Sequence, residues 1–278
     1  MDPFNDRLAA SAELAGSWLC VGLDPDPARF PDGMEAEDVG EWCLGVLAAT
    51  TEVACAVKPN AAFFEALGDV GEEALRQVIA ATPPETPVIL DGKRNDIGNT
   101  AGKYAEAAFD ELGADAVTVN PYLGWDGVEP FAAYEDKGIF LLARTSNPSA
   151  RDFQDLPTDA AGTPLWQAVA TKAMREWQPD CGNLGLVAGA TYPGELAQIR
   201  ALCGDGVPLL IPGVGAQGAD AAETLQNGGD TSGRFAVINV GRGLLYPKDA
   251  DTHDGGWQGA VADAARGFAG QLMPRKLL

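Results

Sequence analysis

The chain has 278 residues, 46% of them hydrophobic, and sets 40 acidic side chains against 19 basic ones for a formal net charge of −21. That charge argues against a nucleic-acid partner, because phosphate contacts need a basic face. No apolar run approaches the roughly 20 residues of a membrane span, and the length suits one large domain such as an α/β barrel of about 250 residues.

Short β-branched runs alternate with helical patterns from end to end. A helix at about 4–15 precedes the first strand-like run, "WLCVGLD" (18–24), and is placed to close the floor of a barrel. A helix at 36–50 leads to "ACAVKPN" (54–60), and one at 71–81 leads to "PVILDGK" (87–93). Beyond it Tyr104, Ala105, Ala108, Phe109 and Leu112 recur at helical spacing and leave Lys103, Glu106, Asp110 and Glu111 outside. "AVTVNP" (116–121), a helix at 127–136 and "IFLLART" (139–145) follow. The longest irregular stretch, 146–164, comes next and reads as a functional loop or an insertion. A helix at 162–177, "LGLVAGA" (184–190), a helix at 194–203 and "PLLIPGV" (208–214) continue the alternation. It ends with a helix at 219–227, "AVINVGR" (236–242) and a helix at 256–273. Eight continuous apolar strands fit a parallel sheet buried on both faces, so the expected fold is a single-domain (β/α)8 TIM barrel over residues 1–278.

The five cysteines, 20, 43, 55, 181 and 203, are odd in number and form no CxxC pair; Cys20 and Cys55 read as small buried hydrophobes. The single histidine, His253, reads as an exposed loop residue in "DTHDGG", and no cluster of metal-ligating types surrounds it. Chemistry must then rest on carboxylates, lysines, arginine and backbone amides. The start, "MDPFNDRLAASAELAGS", is acidic and amphipathic, unlike a signal peptide, which leads to the expectation of a cytoplasmic protein. Only seven of the basic residues are lysines, and the scattered acids read as a solvated surface adapted to high salt, a halophilic signature.

In such barrels the site forms at the carboxyl ends of the strands. Those ends carry Asp24, Lys58, Asp91 with Lys93, Asn120, Thr145 with Ser146, Gly213 with Gly215, and Gly241 with Arg242. Any one of them serves equally well as a structural cap, but together they read as a binding site. "IPGVGAQGAD" (211–220) and "NVGRGLLY" (239–246) follow strands seven and eight, where barrels often hold phosphate, and Arg242 adds a fork suited to its oxygens. Asp91 and Lys93, two apart on a strand, are expected to point the same way, with Lys58 in reach on the neighbouring strand. The order Lys58–Asp91–Lys93–Asp96 alternates in sign. A purely structural network would satisfy the same electrostatics; its place beside a phosphate site favours catalysis.

"DGKRNDIGNT" resembles the D-x-K-x-x-D-I motif of the orotidine 5′-monophosphate decarboxylase family. The resemblance extends in order through "VGLDPDP", "AVKPNAAFFEALG", "NPYLGWDGVEPF", "RTSNPSARDFQDL", "PGVGAQGAD" and "VGRGLLYP", and is closest to the larger bacterial and archaeal subgroup. Gly92 and Asn95 stand at variable positions where alanine and glycine are more usual; every charged position of the motif matches. The resemblance implies cofactor-free conversion of orotidine 5′-monophosphate to uridine 5′-monophosphate, with Lys93 protonating C6 and Asp91 against the substrate carboxylate. It implies that Lys58 bridges Asp91 and the ribose, that Asp24 binds ribose, and that Asp96 and Thr100 serve the neighbouring chain's site in a homodimer. Ser146 would contact the pyrimidine, and Gln217 with Arg242 would hold the phosphate beside Gly213, Gly215 and Gly241. Two rivals are carried along. One is a magnesium-dependent sugar-phosphate decarboxylase or synthase of the same barrel suprafamily, which usually calls for an extra acidic ligand early in the barrel, whereas the second strand here ends in "VKPN" with Lys58 and no acid. The other is a non-catalytic barrel that binds a nucleotide phosphate.

Overall fold

All eight apolar runs are strands, and the computed structural model, which describes residues 2–215 and 218–273, places them in one parallel sheet. They are β1 (Leu19–Leu23), β2 (Ala56–Pro59), β3 (Ile89–Arg94), β4 (Ala116–Val119), β5 (Gly138–Arg144), β6 (Leu184–Ala188), β7 (Leu209–Pro212) and β8 (Ala236–Val240). The hydrogen-bonded order is β2-β1-β8-β7-β6-β5-β4-β3. Single parallel bridges, Val57 to Val88 and Asn60 to Asp91, join β2 to β3 and close the barrel. Strands such as Leu19–Leu23 and Leu184–Ala188 are buried at every position, because side chains fill the barrel on one face and helices cover the other.

The covering helices are α1 (Phe4–Ala15), α2 (Val39–Thr50), α3 (Ala61–Glu65), α4 (Asp69–Ala81), α5 (Gly98–Glu106), α6 (Glu129–Ala132), α7 (Leu165–Lys172), α8 (Gln178–Cys181), α9 (Pro193–Cys203), α10 (Ala221–Gly228), α11 (Arg242–Leu245) and α12 (Gly256–Gln271). Helix α1 lies across the floor. Phe4 meets Phe140 edge-on at 5.9 Å, Arg7 pairs with Asp115 just below β4, and Asn5 donates to the Gly206 carbonyl.

The helix expected at 127–136 is one turn, α6. Residues 121–127 form two 3-10 turns, and a reversal in which Lys137 N–H donates to the Tyr134 carbonyl feeds straight into β5. The pattern at 162–177 runs further than expected: α7 passes through a π turn at Ala173–Trp177 into α8 and stops at Gly182, where φ is 76°. His253, expected as an exposed loop residue, is half-buried, with its Nε2 3.1 Å from Asp263 of α12. Arg200 of α9 is buried, and no carboxylate among the described residues lies within salt-bridge distance of it. It donates to the carbonyls of Gly204, Val207, Gly228 and Phe235, tying α9 and α10 to the starts of β7 and β8. All five cysteines are free, and no described helix is long and apolar enough to cross a membrane.

Candidate active site

The charged cluster forms where β3 departs from a regular strand. Leu90 pairs with Val117 and Arg94 with Val119, so β3 spends three residues, Asp91, Gly92 and Lys93, opposite the single Thr118 of β4. Within this bulge Lys93 has φ of 45°, left-handed and unusual for a residue with a Cβ. The expectation that Asp91 and Lys93 point together by simple alternation is therefore corrected. The bulge and the left-handed turn, rather than strand periodicity, bring the Lys93 ammonium back onto Asp91.

Asp91 is the hub. Lys58 Nζ donates to its Oδ2 at 2.7 Å; Lys93 Nζ at 2.7 Å and the Thr118 hydroxyl at 2.9 Å both donate to Oδ1. Lys58 and Asp91 are buried, while the Lys93 side chain is 49% exposed and opens toward the rim. Burial by itself would raise the Asp91 pKa, but the charges and hydrogen bonds of Lys58 and Lys93 outweigh it and hold the carboxyl well below the usual carboxylate range. For Lys58, burial works against the ammonium, and the charges of Asp91 and Asp24 hold its pKa above the ordinary lysine value. Beneath the cluster Cys20 is a plain buried thiol, pushed up to about 12 by burial.

Asp96 does not join the set within one chain. Its carboxylate accepts from the Ile97 N–H at 2.8 Å, and no described cation lies within salt-bridge distance. Thr100 is exposed in the first turn of α5. Asp24 ends β1 close to Gly241, where an added Cβ would come within 3.3 Å of its Oδ2, and its buried Oδ1 has no partner among the described residues. Asn120 acts as a cap, its side chain accepting from Tyr122 N–H.

Ser146 begins the loop after β5, pressed so close to Gly189 that any side chain there would sit 2.9 Å from Ser146 backbone. Gly213 and Gly215 have φ of 115° and 77° in a tight turn bridged by Val214 and Ala219. Gln217 lies outside the described residues. Arg242 starts α11 after Gly241, exposed and without a side-chain partner among the described residues.

Two groups of contributors escaped the sequence. Thr118 is a hydroxyl in an otherwise apolar strand, and that oddity was the available signal. Arg144, fully buried at the end of β5, stacks on Tyr192 at 3.9 Å and reaches Asp155 at 3.2 Å, while Gln154 holds Thr145 through both its backbone and its hydroxyl. These contacts fold the 146–164 loop back onto the rim beside Ser146. Among the described residues no three His, Cys, Asp or Glu side chains come together as a metal site.

A closed parallel barrel with a buried charge cluster at its carboxyl rim defines a (β/α)8 protein of the type that carries its site there. Residues 17–252 match the model of the Orotidine 5'-phosphate decarboxylase / HUMPS family. The chain belongs to this family. It is 47% identical over 245 residues to an orotidine 5'-phosphate decarboxylase of Roseiflexus sp. (strain RS-1), covering 87% of this chain and 89% of the relative. Among solved structures, Leishmania donovani UMP synthase is similar at a TM-score of 0.84 and 40% identity over 96% of this chain, which spans 56% of that longer protein. Leishmania donovani OMP decarboxylase is similar at 0.81 and 38% identity, with 97% and 98% of the two chains covered.

The cluster sets a pH window. Asp91, depressed in the fold, contributes stability that is complete above its unfolded value near 3.8 and is lost as pH falls through the folded value. Lys58, raised in the fold, contributes stability that is complete below 10.5 and is lost as pH rises through its folded value. Asp91→Asn, which strands a buried ammonium, should therefore cost roughly 3–5 kcal/mol. The cost should be largest at acidic to neutral pH and shrink as pH rises, because burial without Asp91 favours loss of the stranded Lys58 proton. Thermal unfolding of both proteins from about pH 5 to 9 checks this, and a cost that does not shrink toward alkaline pH would refute the charged pairing.

Proposed function

We propose that the chain decarboxylates orotidine 5′-monophosphate to uridine 5′-monophosphate without a cofactor. The observation that carries this reading is the Lys58–Asp91–Lys93 cluster, with both ammonium contacts at 2.7 Å on one carboxylate at the barrel rim. Family membership narrows it. The family description names HUMPS beside orotidine 5'-phosphate decarboxylase, whereas the 47%-identical relative is named an orotidine 5'-phosphate decarboxylase.

Loss of carbon dioxide leaves an electron pair at C6 that no neighbouring group delocalises. A positive group fixed at that carbon stabilises it and can donate the proton that completes the product. Lys93, half-exposed at the rim and oriented by Asp91, fits that role. Asp91 would lie against the substrate carboxylate while holding both lysine side chains at 2.7 Å. Lys58 and Asp24 Oδ1, unpaired among the described residues, would meet the ribose hydroxyls, Ser146 the pyrimidine, and Arg242 with Gln217 the phosphate beside Gly213, Gly215 and Gly241. Asn120 would line the same rim, its side chain already engaged as a cap.

The assay is loss of substrate absorbance on adding orotidine 5′-monophosphate, with and without a chelator. Lys93→Ala should abolish turnover while still binding uridine 5′-monophosphate. A mutant rate within tenfold of wild type would reject Lys93 as proton donor, and no turnover of orotidine 5′-monophosphate beside chelator-sensitive turnover of a sugar phosphate would favour the sugar-phosphate rival.

The working unit in this reading is a homodimer with shared sites. Asp96 stands apart from its own chain's cluster among surface apolar groups, with Ile97 53% exposed, Tyr122 83% and Leu123 44%. Burying that patch against a second copy would carry Asp96 and Thr100 into the partner's site. Mixing Lys93→Ala with Asp96→Asn chains tests this. Random exchange makes about half of the dimers mixed, each with one intact site of two, so activity should recover to roughly a quarter of wild type. No recovery after verified subunit exchange would place Asp96 in its own chain's site.

The free cysteines fit a reducing cytoplasm. The charge of −21 fits a protein adapted to high salt, so melting temperature should fall as salt is diluted and the self-repulsion is unscreened. A melting temperature independent of salt would end the halophilic reading.

A further inference from the structure

The bulge in β3 raises a question that the lysines and aspartates do not answer, namely what holds it in shape. Opposite two steps of β4, from Val117 to Val119, the chain of β3 takes four, from Leu90 to Arg94. A bulge of this kind deprives backbone groups of their ladder partners, and buried donors left that way are costly. Lys93 N–H is such a donor, and it finds the Thr118 hydroxyl oxygen at 2.9 Å. The same hydroxyl sends its own proton to Asp91 Oδ1 at 2.9 Å. A hydroxyl has one proton to give and lone pairs to accept with, so both bonds form together. Thr118 is 1% exposed. Lys93 meanwhile sits at φ of 45°, a conformation that persists only where its surroundings over-determine it.

We propose that Thr118 is a positioning residue for the reaction: its hydroxyl latches the left-handed Lys93 backbone to the Asp91 carboxylate and so aims the Lys93 ammonium. The inference rests on the decarboxylase reading and adds a group that does not touch substrate. Without the hydroxyl, Lys93 N–H loses its partner and the bulge is free to relax toward ordinary backbone angles, which swings the Lys93 side chain off its line. Asp91 keeps its two lysines but loses the bond that fixes the tilt of its carboxylate. Binding of product should change little, because the proposed ribose and phosphate contacts come from other strands.

The test compares Thr118→Val, which keeps the shape and removes the hydroxyl, with Thr118→Ser, which keeps the hydroxyl. Rates are expressed per uridine 5′-monophosphate-binding site, so that only folded protein counts; Thr118→Ala replaces the valine variant if that one cannot be purified. Loss of two buried hydrogen bonds that act on the reacting group predicts a kcat lowered roughly thirtyfold in Thr118→Val. Product affinity should stay within about threefold, and Thr118→Ser should stay within about threefold of wild type in kcat. Three results would overturn the latch: a valine variant as fast as wild type per site, a serine variant as slow as the valine one, or a loss confined to KM. Wild-type protein assayed alongside separates the two levels of the argument, since absence of turnover there removes the decarboxylase reading itself and the latch with it.

Discussion

The Asp91 carboxylate, clasped between the Lys58 and Lys93 ammoniums, constrains the architecture around it. A buried carboxylate tolerates its position only while its oxygens are satisfied, and here Oδ2 takes Lys58 and Oδ1 takes Lys93 and Thr118. Those donors come from three adjacent strands, β2, β3 and β4, so the charge cluster exists only when that wall of the barrel is assembled. The same wall contains the seam of the sheet. Between β2 and β3 the ladder thins to two isolated bridges, one of them joining Asn60 to Asp91 itself. The Lys58–Asp91 ion pair crosses that seam, so side-chain electrostatics reinforce closure where backbone pairing is sparse.

Much of the fold was legible in the sequence because it depends on patterns that survive in one dimension. Continuous apolar runs marked all eight strands, since burial on both faces leaves few positions for polar residues. What failed was local. The pattern at 127–136 is apolar enough for a helix, yet the preceding "NPYLGWDG" is spent on tight turns and the chain must reach β5 at Gly138. The carbonyl contacts of Arg200 are not legible in the sequence, because its partners lie as many as 35 residues away.

The site was legible in its residues and illegible in its geometry. Lys58, Asp91 and Lys93 were identifiable as charges at strand ends, and they do converge. Strand alternation gave the right meeting for the wrong reason, since a register shift of the β3–β4 ladder cannot be read from "LDGKRND" alone. Asp96 shows the opposite limit. Its sequence spacing invites a four-member network within one chain, but the chain turns away into α5 and leaves it outside. Arg144 and Gln154 were missed because their role, pinning a loop to the strand that launches it, appears only once that loop folds back.

The contacts at the rim divide it into two unlike sides. On one side, Tyr246 donates to the Asp24 carbonyl at 3.1 Å and accepts from Asp26 N–H at 2.8 Å, which ties the segment after β1 to the turn that carries Arg242. Its ring stacks on Trp42 at 5.4 Å and lies under Arg29 at 4.1 Å, so packing fixes this join as well as hydrogen bonding. On the other side, the loop after β5 hangs on Arg144 and Gln154 and exposes Phe153 and Leu156 at its surface. In the proposed reaction the fixed side would receive the ribose and phosphate, which do not change, and the loop side would receive the pyrimidine, where charge develops. Binding energy gathered on the unreactive part of a substrate accelerates chemistry only if it is transmitted to the reacting part. In that proposal the fixed side is joined through Asp24 and Lys58 to the Asp91 hub, a short route for such transmission, because the charge that raises the Lys58 pKa comes from both acids. The arrangement therefore places the groups proposed to recognise the nucleotide and the groups proposed to act on it within one electrostatic unit.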